Sequence, residues 1–137
     1  SARVFDGRDP ILVTAIGSSA VAQQSFVTRG VQIWACPAED GLINLRQLAA
    51  RCGAAGMTQV IVEGGSTLAA AMLAAGAIDD VKIYVAPRFL GGDAVAAIGD
   101  LGIAELAATP TLADVRTKRL GEDLLVTGRV LYSCSQD

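Results

Sequence analysis

Three times before residue 77 the chain repeats one local plan: a short apolar run, a turn of small or capping residues, then a stretch of helix formers. The runs at 11–14, 31–35 and 59–62 read as strands. Helices are expected from Ala20 to about Arg29, from Leu45 to Cys52, and from Thr67 to Ala75. Gly30 and Gly76 sit where helix C′ residues belong, and Asn44 is placed to cap the second helix. Leu45, Leu48 and Ala49 then share one face of that helix. Residues 37–41 read as a loop. The order β-α-β-α-β-α calls for a parallel sheet wound with helices.

After Asp79-Asp80 the pattern changes. Residues 81–86 alternate more clearly and stop before Pro87, and residues 88–93 read as a loop. A mixed stretch follows to Ala108, with room for one short helix. Residues 112–120 and 124–132 then read as two strands joined at Gly121-Glu122-Asp123 in a hairpin. The basic run Arg116-Thr117-Lys118-Arg119 reads as the solvated face of a strand, where charge discourages edge pairing. No repeat or linker divides the chain, so residues 1–137 are expected to form a single domain.

Composition removes several classes of function. Apolar residues make up 52% of the chain and charged ones 18%, which describes a globular core-former. No unbroken apolar run reaches the length of a membrane span. A net charge of −3 without a basic stripe argues against nucleic acid as the main partner. Cys36, Cys52 and Cys134 are odd in number and lack ligand spacing, so they read as reduced thiols of a cytoplasmic protein, and no metal is expected. The chain contains no His, which rules out imidazole bases and Ser-His or Cys-His pairs within it. Chemistry here must rest on carboxylates, hydroxyls, backbone dipoles or a bound cofactor.

The third strand-turn-helix segment carries the candidate site. In Val60-Ile61-Val62-Glu63-Gly64-Gly65-Ser66-Thr67-Leu68 an apolar strand runs into a carboxylate, two glycines and two hydroxyl residues that open a helix. Gly64 and Gly65 can take positive φ and let a ligand approach the main chain. Ser66 is the expected N-cap. The first amides of a helix lack internal partners and carry the positive end of its dipole, so a phosphate would be held there. Glu63 lies at a strand's carboxyl end, where ligands of open α/β sheets bind. Ser18-Ser19 offer the same geometry at the first helix, and Gly91-Gly92-Asp93 is a second candidate turn.

The chain resembles the C-terminal reductase domain of the bacterial bifunctional riboflavin-biosynthesis deaminase–reductase. The likeness rests on Ala2-Arg3-Val4-Phe5-Asp6 with the strand after Pro10, on Val60 to Leu73, and on Asp79 to Pro87 followed by Leu90-Gly91-Gly92-Asp93. Gly121-Glu122-Asp123-Leu124 fits the closing hairpin. The resemblance implies a dihydrofolate-reductase-like three-layer α-β-α fold, with a mostly parallel sheet and a C-terminal antiparallel hairpin. It implies NADPH as cofactor and reduction of the ribosyl group of 5-amino-6-(5-phosphoribosylamino)uracil to the ribityl form. By the same likeness Glu63 contacts the pyrimidine substrate, and Gly64, Gly65, Ser66, Thr67 and Leu68 bind the cofactor; no catalytic residue is assigned. A homodimer is implied, with the opening segment of the domain and a deaminase domain expected upstream of Ser1. Two alternatives stand beside this reading: a related reductase of another pteridine or pyrimidine, and a non-catalytic nucleotide-binding or assembly module.

Overall fold

The computed structural model describes residues 9–133. The Ala2–Asp6 block of the resemblance, Cys134 and the tail after Ser133 lie outside the described residues. The chain divides into two compact units at the Thr58–Gln59 junction.

In the first unit, β1 (Ile11–Ala15), α1 (Ala20–Val27) and β2 (Gln32–Cys36) form the expected strand-helix-strand unit. β1 and β2 pair in parallel, from Ile11 opposite Gln32 to Ala15 opposite Cys36. The Ser19 hydroxyl caps α1 by accepting from the Ala22 amide at 3.4 Å. Gln23 Nε2 donates to Thr14 Oγ1 at 3.3 Å and ties α1 to β1. Trp34 and Cys36 point to one side of β2 and are buried, as the two-residue period requires. Over the Trp34 ring lies the Arg51 guanidinium, 4.6 Å from the centroid.

Residues 37–41, expected as a loop, contain a turn of sheet. β3 (Ala38–Glu39) and β4 (Leu42–Ile43) pair antiparallel, with Glu39 opposite Leu42. The connecting Asp40 and Gly41 both have positive φ, 50° and 78°, the geometry of a two-residue type I′ hairpin. Asp-Gly is a favoured sequence for that turn. Asn44 then caps α2 (Leu45–Ala54) as expected, its Oδ1 accepting from the Gln47 amide at 3.1 Å.

In the second unit the expected strand over 59–62 is absent: those residues belong to no strand, and Val60 and Ile61 are 56% and 73% exposed. Apolar β-branched residues fit a pleated neighbouring surface, but that preference makes a strand only where a ladder partner exists. α3 (Ser66–Ala74) follows. It ends in a Schellman motif, with Ala77 N–H on Met72 O at 3.0 Å and Gly76 N–H on Leu73 O at 2.9 Å. Gly76, at φ 63°, supplies the left-handed residue this motif needs.

β5 (Asp80–Val85), β6 (Thr111–Leu120) and β7 (Asp123–Leu131) make an antiparallel sheet in the order β5-β7-β6. β6 and β7 form the expected hairpin, with Leu120 opposite Asp123 across Gly121-Glu122. A bulge at Asp114 and Val115 interrupts β6 opposite Gly128. β6 is an edge strand, so the basic run lies where charge discourages further pairing. Between β5 and β6 one 3₁₀ turn forms, at Leu106–Ala108. Tyr132 closes the sheet onto the loop after α3: its hydroxyl donates to Ile78 O at 2.8 Å and accepts from Ile78 N at 3.2 Å.

The mostly parallel sheet needs correction. Among the described residues one pairing, β1–β2, is parallel, while β3–β4, β5–β7 and β6–β7 are antiparallel. The missing ladder at 59–62 removes the third expected parallel strand.

Candidate functional site

The candidate residues occupy one continuous stretch leading into α3. Glu63 is exposed, three residues before the helix. Gly65, and not Ser66, holds the N-cap position, with φ −67° and ψ 176°. Ser66 is already helical, so its hydroxyl does not serve as the cap, and no side chain caps this helix. The consequence matters for binding. A helix whose first turn has no side-chain acceptor keeps its N-terminal donors for an outside partner.

Gly64 and Gly65 do not use the positive φ open to glycine; neither lies in the left-handed region. Their smallness serves two other purposes. A Cβ on Gly64 would stand 2.5 Å from Leu68 Cδ2 and 3.0 Å from Leu68 Cβ, so the Leu68 side chain folds back onto the Gly64 main chain. A Cβ on Gly65 would meet nothing within 4 Å. The space beside the cap is open, and a ligand can come close to the backbone there. Thr67 and Leu68 are exposed and Ser66 is half-buried. The arrangement therefore offers an anion an open approach, unclaimed amides at a helix N-terminus, and two hydroxyls.

One contact at this turn was not foreseen. The Gly99 N–H donates to Ser66 O at 3.0 Å. Residues 33 positions apart meet here through main-chain atoms, and nothing in the local sequence around Ile98-Gly99-Asp100 signals it. At α1 the Ser19 hydroxyl engages the Ala22 amide, one of the donors an anion would use, which weakens Ser18-Ser19 as an anion site. In the other candidate turn Gly91 has φ 80°, so a left-handed backbone explains that glycine. Among the described residues no group of three or more His, Cys, Asp or Glu is placed to hold a metal. No described helix is long and apolar enough to cross a membrane.

The chain is similar to known proteins over most of its length. The model of the family described as RibD C-terminal domain matches residues 1–126. The riboflavin biosynthesis protein PYRR, chloroplastic, of Arabidopsis thaliana is 32% identical over 119 residues, covering 86% of this chain and 19% of its own. The 2,5-diamino-6-ribosylamino-4(3H)-pyrimidinone 5′-phosphate reductase of Methanothermobacter thermautotrophicus is 39% identical over 85 residues, 61% of this chain and 39% of that protein. The chain thus spans about a fifth to two fifths of the length of these relatives. In structure it is similar to a pyrimidine reductase-like protein from Corynebacterium diphtheriae, with a TM-score of 0.67 over 89% of this chain and 50% of that one, at 16% identity. That likeness is one of fold. With a family model matched over nearly its whole length, the chain belongs to the RibD C-terminal domain family.

Proposed function

We propose that this chain carries the nucleotide-binding wall of an NADPH-dependent reductase that converts the ribosyl group of 5-amino-6-(5-phosphoribosylamino)uracil to a ribityl chain. The observation that carries the reading is the N-terminal turn of α3, which has no side-chain cap and opens beside Gly65. In this reading the backbone amides from Gly65 to Leu68, with the Ser66 and Thr67 hydroxyls, hold the cofactor phosphates. Gly64 lets Leu68 close down on the turn and fixes its shape. Glu63, a carboxylate just ahead of the turn, accepts hydrogen bonds from pyrimidine N–H groups and sets the substrate's orientation. When bound, the nicotinamide supplies the hydride, so the chain needs no imidazole.

The larger frame belongs to the same proposal. A dihydrofolate-reductase-like three-layer fold in a single reductase domain is part of this reading. The functional protein is a cytoplasmic homodimer in this reading, with a deaminase domain in the same product. The relatives named for riboflavin biosynthesis and for reduction of a ribosylamino-pyrimidinone phosphate support a substrate of this class.

NADPH oxidation by the full-length protein, followed with the phosphoribosylamino-uracil present, tests the function. Glu63→Gln should raise KM for the pyrimidine at least about tenfold, with NADPH affinity unchanged. No oxidation with this substrate, or an unaltered KM in the variant, would contradict the assignment.

A further inference from the structure

The stretch from Gly99 to Gly102 lies far in sequence from the candidate site, yet it meets that site's first helical turn. The Gly99 N–H donates to Ser66 O at 3.0 Å. A Cβ built on Gly99 would stand 3.1 Å from Ser66 O, 3.4 Å from Ser66 C and 3.5 Å from Ala70 Cβ. The first of these is tighter than nine in ten real Cβ contacts, so a side chain here asks the α3 backbone to give by a few tenths of an ångström. The segment is tied off locally as well: Asp100 Oδ1 accepts from the Gly102 amide at 2.8 Å, an Asx-type turn that fixes the residue next to Gly99.

We propose that Gly99 is a positioning residue for the cofactor end of α3. Its N–H holds the Ser66 carbonyl, and its lack of a side chain lets the two backbones approach closely enough for that bond. The inference rests on the nucleotide reading of the α3 turn and deepens it. The Ser66 carbonyl belongs to the same turn whose amides face the anion, so a shift at this carbonyl moves the donors with it. Glycine is required by the backbone approach and not by its dihedral angles, since Gly99 lies outside the left-handed region. A packed turn does not deform smoothly, so a displacement of a few tenths of an ångström is passed to the neighbouring donors.

The test compares Gly99→Ala and Gly99→Val in the full-length protein, with Gly53→Ala as the matched control. A Cβ on Gly53 meets nothing within 4 Å, and Gly53 lies in α2 of the other unit. Two quantities are read: hydrogen-exchange protection of the residue-99 amide, which donates to Ser66 O, and the Kd for NADPH by fluorescence titration. Gly99→Ala should lower the protection and weaken NADPH severalfold, and Gly99→Val should weaken it by about tenfold or more. The control should leave both at the wild-type level. If Gly99→Val does not fold, Gly99→Ala carries the test, because it asks for only a small displacement. Unchanged protection in a folded Gly99 variant overturns the positioning role. Lost protection in a protein that binds no NADPH even as wild type overturns the nucleotide reading and leaves the Gly99–Ser66 clamp standing as a structural one.

Discussion

Leu68 closes its side chain over the Gly64 main chain, so tightly that a Cβ on Gly64 would lie 2.5 Å from Leu68 Cδ2. The pair joins the carboxylate side of the candidate site to its helix side. It also explains the first glycine of the Glu-Gly-Gly stretch by packing, with no demand on φ.

Gly64→Ala is therefore expected to cost about 1 kcal/mol of stability, the low end for overpacking, because the exposed Leu68 Cδ2 can swing aside while its Cβ, 3.0 Å away, cannot. Adding Leu68→Ala removes the opposing methyls and should recover part of that loss. A double-mutant cycle by urea denaturation measures the coupling, which should be favourable and at least about 0.5 kcal/mol. Strict additivity of the two changes would show that the contact does not constrain the turn.

Arg51 fastens α2 to β2 twice. Its guanidinium lies over Trp34, and its Nη1 donates to Ala35 O at 2.7 Å. Both contacts are partly in solvent, so Arg51→Ala should cost about 1 kcal/mol. Arg51→Lys should recover little, because an ammonium cannot stack on the ring and reach the carbonyl with the same planar fork. Trp34, the chain's lone tryptophan, reports both variants by fluorescence during denaturation.

Much of this local structure is legible in the residues themselves. Asn44 and Gly76 act where capping chemistry places them, and the β6–β7 hairpin turns at Gly121-Glu122. The Asp40-Gly41 signal is equally visible, but the strands it joins are two residues long and carry no hydropathy pattern of their own. Moving the α3 cap from Ser66 to Gly65 is a one-residue shift, and with two adjacent hydroxyl residues composition does not separate the choices. The strand at 59–62 failed for a different reason: Val60, Ile61 and Val62 have strand character, but pairing depends on a neighbour that no local pattern encodes. The Gly99–Ser66 bond is likewise tertiary, a meeting of two backbones that leaves no mark in either segment.

Tyr132 offers an independent check on the second unit. Its hydroxyl both donates to and accepts from the main chain of Ile78, between α3 and β5. Tyr132→Phe keeps the ring and removes both bonds, with an expected cost of about 1 kcal/mol in this half-solvated setting. Thermal denaturation of the variant should show a correspondingly lower Tm. An unchanged Tm would mean that water replaces the hydroxyl without loss.

The central claim is that the open cap at Gly65 receives the cofactor phosphates, and Gly65→Asp separates binding from folding. Asp is a good N-cap and suits the positive end of a helix, so stability should hold or rise by a few tenths of a kcal/mol. The same carboxylate occupies the open space at Gly65 and repels a phosphate there. The Kd for NADPH of wild-type and Gly65→Asp full-length protein, measured by fluorescence titration alongside Tm, is the most direct measurement. The expected result is at least about tenfold weaker NADPH binding at an unchanged or higher Tm. Equal NADPH affinity in the two proteins would contradict the assignment of this turn.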